Sequence, residues 1–133
     1  MAEISKEFKI MLIIDLVVAF AYGILYVFLP DFVYSTNDAP YYDPHFWRLF
    51  GGVILGIGIV AVFALLKGDW DHIKLFVFYT IVFLIITGII NITSAIYVTR
   101  STTNLGFHWL DNILIILLAI LNGFFYMREE KKK

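Results

Sequence analysis

The chain has 133 residues, of which 61% are hydrophobic and only 16% are charged. Soluble domains average about 45–50% apolar and about 25% charged residues, so this composition excludes an ordinary water-solvated surface. The net charge of −1 provides no basic face for phosphates, and we expect no nucleic-acid partner. The absence of cysteine excludes disulfides and thiolate-ligated metals.

Four long apolar stretches follow one another along the chain. A helix rises about 1.5 Å per residue, so about 20 mainly apolar residues cross the hydrocarbon core of a bilayer. The whole chain, residues 1–133, is therefore predicted to be one all-α domain, an integral membrane four-helix bundle with antiparallel neighbours. The predicted spans are residues 10–29, 49–66, 75–98 and 109–127.

The segments between the spans have loop compositions. Residues 30–46 hold all three prolines of the chain, and we predict a long loop there. The composition of residues 67–72 predicts a tight hairpin between spans two and three. Residues 101–104 are polar and are predicted to link the last two spans.

Basic residues are unequally divided between the two sides that this order of spans creates. One side receives only Arg48 and Arg100. Cytoplasmic segments carry the excess of Lys and Arg, so both termini are predicted to be cytoplasmic, in a plasma or cytoplasmic membrane. The residues on the richer side are Lys6, Lys9, Lys67, Lys74, Arg128, Lys131, Lys132 and Lys133.

Spans one, three and four each carry a polar stripe. Successive helical residues turn by about 100°, and the polar residues of each span fall within a narrow arc. A charge at mid-bilayer costs at least ~2.5–3.5 kcal/mol, so we predict that these stripes face inward, as a polar interior or ligand-binding site. The residues are Asp15, Tyr22 and Tyr26 in span one, Thr80, Thr87, Asn91 and Ser94 in span three, and His108, Asp111 and Asn122 in span four.

Span two carries a run of small residues instead of a polar stripe. Small residues about four positions apart let membrane helices approach closely, so this side is predicted to pack against a neighbouring helix. Arg48 lies near the middle of the same arc and is predicted to point toward the interior or to snorkel to the outer interface. The glycines are Gly51, Gly52, Gly56 and Gly58.

Heights along the helices predict which polar residues meet. Asp15 and Asn122 lie at matching levels near the cytoplasmic ends, and we expect Asn122 and tyrosine hydroxyls to hold the Asp15 carboxyl. Near the outer ends, Arg48 and Asp111 are predicted to form an ion pair. That pair is either purely structural or the positive anchor of a site for an anion or a headgroup.

Metal and enzyme motifs are missing from the sequence. None of the three histidines has another histidine three or four residues away, so we predict no metal site. The chain also lacks a phosphate-binding glycine loop, a nucleophile elbow and carboxylates paired for hydrolysis. We therefore favour a protein that is not an enzyme.

The run from Trp47 to Gly58, in which an arginine opens a glycine-rich second span, resembles the second helix of DoxX-like small four-helix membrane proteins. The chain length and the four-span layout agree with that group. The resemblance implies an antiparallel four-helix bundle, a structural role for Arg48, and an accessory role beside membrane redox or lipid-linked systems.

Three functional hypotheses follow. The leading one is an accessory subunit or small-ligand or lipid-binding bundle, embedded in membrane lipids and working with a protein partner or as a homo-oligomer. The second is a small homo-oligomeric transporter or channel whose path is lined by Asp15, Thr80, Asn91 and Asn122. The third is an intramembrane enzyme that acts on a lipid or quinone at Arg48, His108 and Asp111. No cofactor is predicted other than such a lipid or quinone.

Overall fold

The computed structural model describes residues 3–38 and 43–132, and this part of the chain is all-helical. Four of its helices are long and apolar enough to cross a membrane. Each predicted span lies inside one of these four helices. The exceptions are the last residue of the first span, Leu29, and the last residue of the third span, Val98. The helices are α1 (Lys6–Phe28), α2 (Pro30–Asn37), α3 (Pro44–Lys67), α4 (Trp70–Tyr97) and α5 (Thr102–Glu130).

Each long helix begins at a residue whose side chain accepts a hydrogen bond from a backbone N–H of the first turn. This satisfies donors that have no partner within the helix. Gly68 ends α3 in the left-handed conformation, with φ of +64°, which glycine adopts without steric cost. The four capping residues are Ser5, Asp43, Asp69 and Ser101.

The loop predicted for residues 30–46 contains a short helix and the start of α3, so that prediction was wrong for residues 30–37 and 44–46. Leu29 leaves the helical conformation, and Pro30 then takes the first position of α2. Proline is favoured there because that position needs no hydrogen-bonded N–H and its fixed φ suits a helix. Residues 39–42 of the predicted loop lie outside the described residues.

The closest helix packing joins α1 to α3 through glycines. A Cβ atom placed on Gly51 would lie 2.9 Å from the backbone nitrogen of Val27. One placed on Gly58 would lie 3.1 Å from the Phe20 ring. Late residues of α1 therefore lie beside early residues of α3, at a separation that only small residues permit.

Two glycines of the predicted packing face do not take part in it. A Cβ atom on Gly52 or Gly56 would meet nothing within 4 Å in the described structure, so their assignment to a buried face is corrected. Seven residues make nearly two full turns, which puts Gly51 and Gly58 on one side, whereas Gly52 is rotated by about 100°. The sequence analysis missed Gly23 of α1, where a Cβ would approach the Leu55 backbone nitrogen to 3.1 Å.

The second pair of helices, α4 and α5, is joined along its length. At one end the Trp70 indole N–H donates to Glu130 at 2.7 Å. At the other end His108 hydrogen bonds to the Asn91 carbonyl at 2.8 Å. Late residues of α4 thus lie beside early residues of α5.

The apolar core lies at the end of the molecule that holds the chain termini. Its centre is the fully buried pair Phe8 and Trp70, whose rings pack edge to face with centroids 5.7 Å apart. Beside it, the buried Glu129 carboxylate accepts hydrogen bonds from Ser5 and from Lys132. The two helix pairs are therefore tied together at this end. Other core residues are Ile4, Met11, Leu12, Ala64, Ile73, Val77 and Leu118.

Candidate functional site

Away from this core the two helix pairs separate and enclose a cavity of about 450 Å³. All five helices contribute side chains to its wall. Sites for small organic ligands usually measure ~300–1,000 Å³ and combine a mainly apolar wall with a few polar groups. The cavity therefore has the size of a binding site.

The structure brings most of the predicted polar residues together on the wall of this cavity. Asn122 lies directly behind one of them, and Arg48 is absent from the lining. The predicted residues that line the cavity are Asp15, Tyr22, Tyr26, Thr80, Thr87, Asn91, Ser94, His108 and Asp111.

Asp15 forms the floor of the cavity, next to the apolar core. Its side chain is buried, and the Asn122 amide donates to Oδ1 at 3.0 Å, as the helix heights predict. The same amide group also donates to the Leu118 carbonyl at 3.0 Å, which fixes its orientation. Oδ2 of Asp15 has no hydrogen-bond partner within residues 3–38 and 43–132, so this oxygen is available to a bound molecule.

A tyrosine hydroxyl bonds to the second carboxylate of the cavity, Asp111, and not to Asp15. The Tyr22 hydroxyl donates to Asp111 at 2.5 Å and so links α1 to α5. The tyrosine hydroxyl that we expected at Asp15 is therefore used at Asp111. Tyr26 lies one turn further along α1, and its ring stacks near that of Tyr22, with centroids 6.4 Å apart.

The predicted ion pair between Arg48 and Asp111 is wrong. Arg48 is exposed, and it makes no salt bridge with Asp111. The cavity face of α3 carries Trp47 and Phe50, and the next position after Trp47 is rotated by about 100° from it. Arg48 consequently points away from the space that Asp111 faces.

Arg100 is the basic residue that lines the cavity, and the sequence analysis gave it no role. Its guanidinium donates to the Asn37 carbonyl at 2.9 Å, and to the carbonyl and the hydroxyl of Ser94 at 2.7 Å each. Burial lowers the pKa of Arg100, and the nearby Asp38 carboxylate opposes that shift. Arginines just beyond a helix often bond its last carbonyls, and this signal was present three residues after α4.

His108 of α5 lines the cavity beside α4 and is almost fully buried. Because a carbonyl only accepts, Nε2 must carry the proton that it shares with the Asn91 oxygen. Nδ1 makes no hydrogen bond to any described residue. The buried Asn112, which we did not predict, donates to the His108 carbonyl at 3.0 Å and steadies this turn of α5.

The wall formed by α3 is aromatic and aliphatic. The Tyr26 ring lies 5.5 Å, centroid to centroid, from the rings of both Trp47 and Phe50. Ile54 and Ile57 continue this wall toward the floor. The cavity thus places a mainly apolar wall opposite polar groups, an arrangement that suits an amphipathic molecule.

Comparison with protein-family models, with curated proteins and with solved structures gave no match. The resemblance to DoxX-like proteins therefore stays a prediction.

Proposed function

We propose that this chain is an integral membrane protein that binds a small amphipathic molecule in the cavity between its helix pairs. In this proposal α1, α3, α4 and α5 form an antiparallel four-helix bundle across the bilayer, with both termini on the cytoplasmic side. The leading hypothesis of the sequence analysis is thereby narrowed to its ligand-binding form.

The outer surface of the helices supports the membrane part of the proposal. Large apolar side chains are exposed on every long helix, among them Val17, Leu66, Leu75 and Ile120. Soluble monomers rarely expose contiguous apolar patches of more than a few hundred Å². Acyl chains solvate such a surface without cost, and the eight basic residues on the side of the termini favour their cytoplasmic placement.

The cavity is the observation that supports ligand binding. An accessory subunit needs only outer surfaces for its partner, whereas this chain also has an internal space whose wall includes Asp15 Oδ2 and His108 Nδ1, neither of them bonded to a described residue. Buried polar groups that lack partners cost free energy, of order 1–3 kcal/mol each. A bound molecule that supplies those partners recovers this cost, so the wall of the cavity is suited to be occupied.

Native mass spectrometry of the gently extracted protein tests the proposal. We expect a bound small molecule on the wild-type protein and its loss in Thr87→Trp, which fills the cavity from α4. Thr93→Trp is the matched control, because Thr93 is exposed on the same helix and does not line the cavity. A wild-type protein that carries no small molecule, or a variant Thr87→Trp that retains it, contradicts the proposal. A heteromeric complex without ligand supports the accessory-subunit hypothesis in its place.

A further inference from the structure

We infer that the molecule bound in this cavity is an organic cation, a protonated amine or quaternary ammonium on a hydrophobic body. The inference rests on the proposed function, since it names the chemical class of ligand for the same cavity. It goes beyond that function in assigning the charge of the ligand, which a merely amphipathic cavity leaves open.

The first observation is the pair of carboxylates. Asp15 and Asp111 both line the cavity, and neither forms an ion pair with a Lys, Arg or His side chain of the described residues. Asp15 is only 9% exposed, and Oδ2 has no donor from the described chain. Charged groups away from water are normally paired, so these carboxylates are suited to a positively charged partner that comes from outside the chain.

The second observation is the cluster of aromatic rings beside Asp111. Tyr22 bonds to this carboxylate, and the rings of Tyr26, Trp47 and Phe50 follow it along the wall. The face of an aromatic ring carries negative potential and attracts cations, most strongly where water is excluded. A carboxylate at one end of such a row of rings is a suitable environment for a substituted ammonium group.

The basic groups of the lining do not neutralise the two carboxylates. Arg100 directs Nε and Nη1 at backbone carbonyls and Nη2 at the Ser94 hydroxyl, at the end of the cavity furthest from Asp15. His108 uses its Nε2 proton for the Asn91 carbonyl. Neither basic side chain therefore bonds to Asp15 or Asp111 within the described residues, and both carboxyl groups are left to a partner supplied by the ligand.

The experiment compares three probes of nearly the same shape. These are the cation 4-phenyl-1-methylpyridinium, its uncharged isostere 4-methylbiphenyl, and the anion biphenyl-4-carboxylate. Their binding to the full-length protein is measured by equilibrium dialysis, with protein-free micelles as the blank. We expect the cation to bind about tenfold more tightly than the uncharged isostere, or better, a ratio that one close pair of opposite charges away from bulk water can supply.

Two variants assign this preference to the carboxylates. Asp111→Asn and Asp15→Asn should each lower the ratio of cation to isostere affinity toward one, and each tests the inference if the other fails to fold. Glu3→Gln is the control, because Glu3 lies outside the cavity, and it should leave the ratio unchanged. The inference is overturned if the wild-type protein binds both probes equally, or if the ratio survives in both variants.

The same measurements separate the inference from the proposed function. Equal binding of the cation and the uncharged isostere, abolished by Thr87→Trp, overturns the charge preference and leaves the cavity as a binding site. Binding of none of the three probes, together with a ligand-free native mass spectrum, overturns both.

Discussion

The Tyr22 hydroxyl donates its hydrogen bond to Asp111 across the cavity, so one side-chain contact connects the α1–α3 pair to the α4–α5 pair. The two pairs share a tight apolar core only at the end with the termini. The tyrosine–carboxylate contact therefore fixes the spacing of α1 and α5 beside the cavity.

Removing this contact should loosen the bundle. We expect Tyr22→Phe to lower the free energy of unfolding by about 0.6–1.7 kcal/mol, the range for polar contacts between membrane helices. Tyr79→Phe is the matched control, since Tyr79 is half-exposed and its hydroxyl has no hydrogen bond to the described residues. Denaturant unfolding in mixed micelles measures both. Equal losses for the two variants would show that the Asp111 contact contributes nothing.

The packing of α1 against α3 predicts opposite effects at neighbouring glycines. In Gly51→Ala the new methyl group would lie within 3 Å of Tyr26 and of the Val27 backbone, so we expect a loss of about 1–3 kcal/mol from overpacking. In Gly52→Ala it meets open space, and replacing glycine inside a helix should stabilise by about 0.5–1 kcal/mol. Thermal unfolding of the two variants tests this prediction, with Gly52→Ala expected to unfold at the higher temperature. If the two variants unfold at the same temperature, or Gly51→Ala unfolds at the higher one, the assigned packing is wrong.

Arg100 should control the position of α2. Its bonds to Asn37 and Ser94 join the end of α2 to the end of α4, and Arg100→Gln cannot reproduce all of them. We expect faster amide hydrogen exchange in residues 30–37 of this variant and little change in the helix ends near the termini. Arg48→Gln is the control, because Arg48 is exposed and away from the cavity lining. Equal exchange rates for residues 30–37 in the two variants would show that contacts other than those of Arg100 hold α2 in place.

Asp38 joins the end of α2 to the start of α5 and makes this second connection sensitive to acid. The Ser101 backbone N–H donates to Asp38 at 2.6 Å, and this hydrogen bond holds the pKa of the carboxyl below its ordinary value of 3.8. The pKa of Asp38 is therefore lower in the folded protein than in the unfolded chain. The stabilisation that this hydrogen bond gives to the attachment of α2 is complete above the ordinary pKa, and it is lost as the pH falls through the lowered pKa.

The NMR shift of the Ser101 amide proton checks this prediction. It should stay constant at neutral pH and titrate only below the ordinary aspartate range. In Asp38→Asn the acid-dependent change should disappear. A midpoint at or above the ordinary aspartate value would show that the hydrogen bond does not favour the ionised form.

Helical periodicity was enough to predict most of the polar residues in the cavity wall. Asp15, Thr80, Thr87 and His108 occur at positions that share a face with other polar residues of the same helix, and that relation needs no knowledge of neighbouring helices. All four line the cavity. The contact between Asp15 and Asn122 was also predictable, because the length of a helix sets the height of each residue.

The errors arose where the result depends on how the helices are rotated against one another. Arg48 and the glycines of α3 share an arc, but the sequence does not show which part of that arc faces α1. Arg100 was overlooked because we used it only to assign the outer side of the membrane, and because its partner Asn37 belongs to α2, which we predicted to be a loop. Gly23 was overlooked because a single glycine in an apolar helix has no periodic signal, and its importance lies in the close approach of Leu55.

The hydrogen bonds among Ser5, Glu129 and the end of α3 have a consequence for the route that a ligand takes. The Ile4 N–H donates to the Gly68 carbonyl at 3.0 Å, so the N-terminal segment, the turn between α3 and α4 and the last turn of α5 close the same end of the molecule. Nothing the size of an organic molecule passes this closed base without breaking several of these contacts. We therefore expect a ligand to exchange away from this end, which in the proposed orientation is the side of the outer leaflet and the space beyond it.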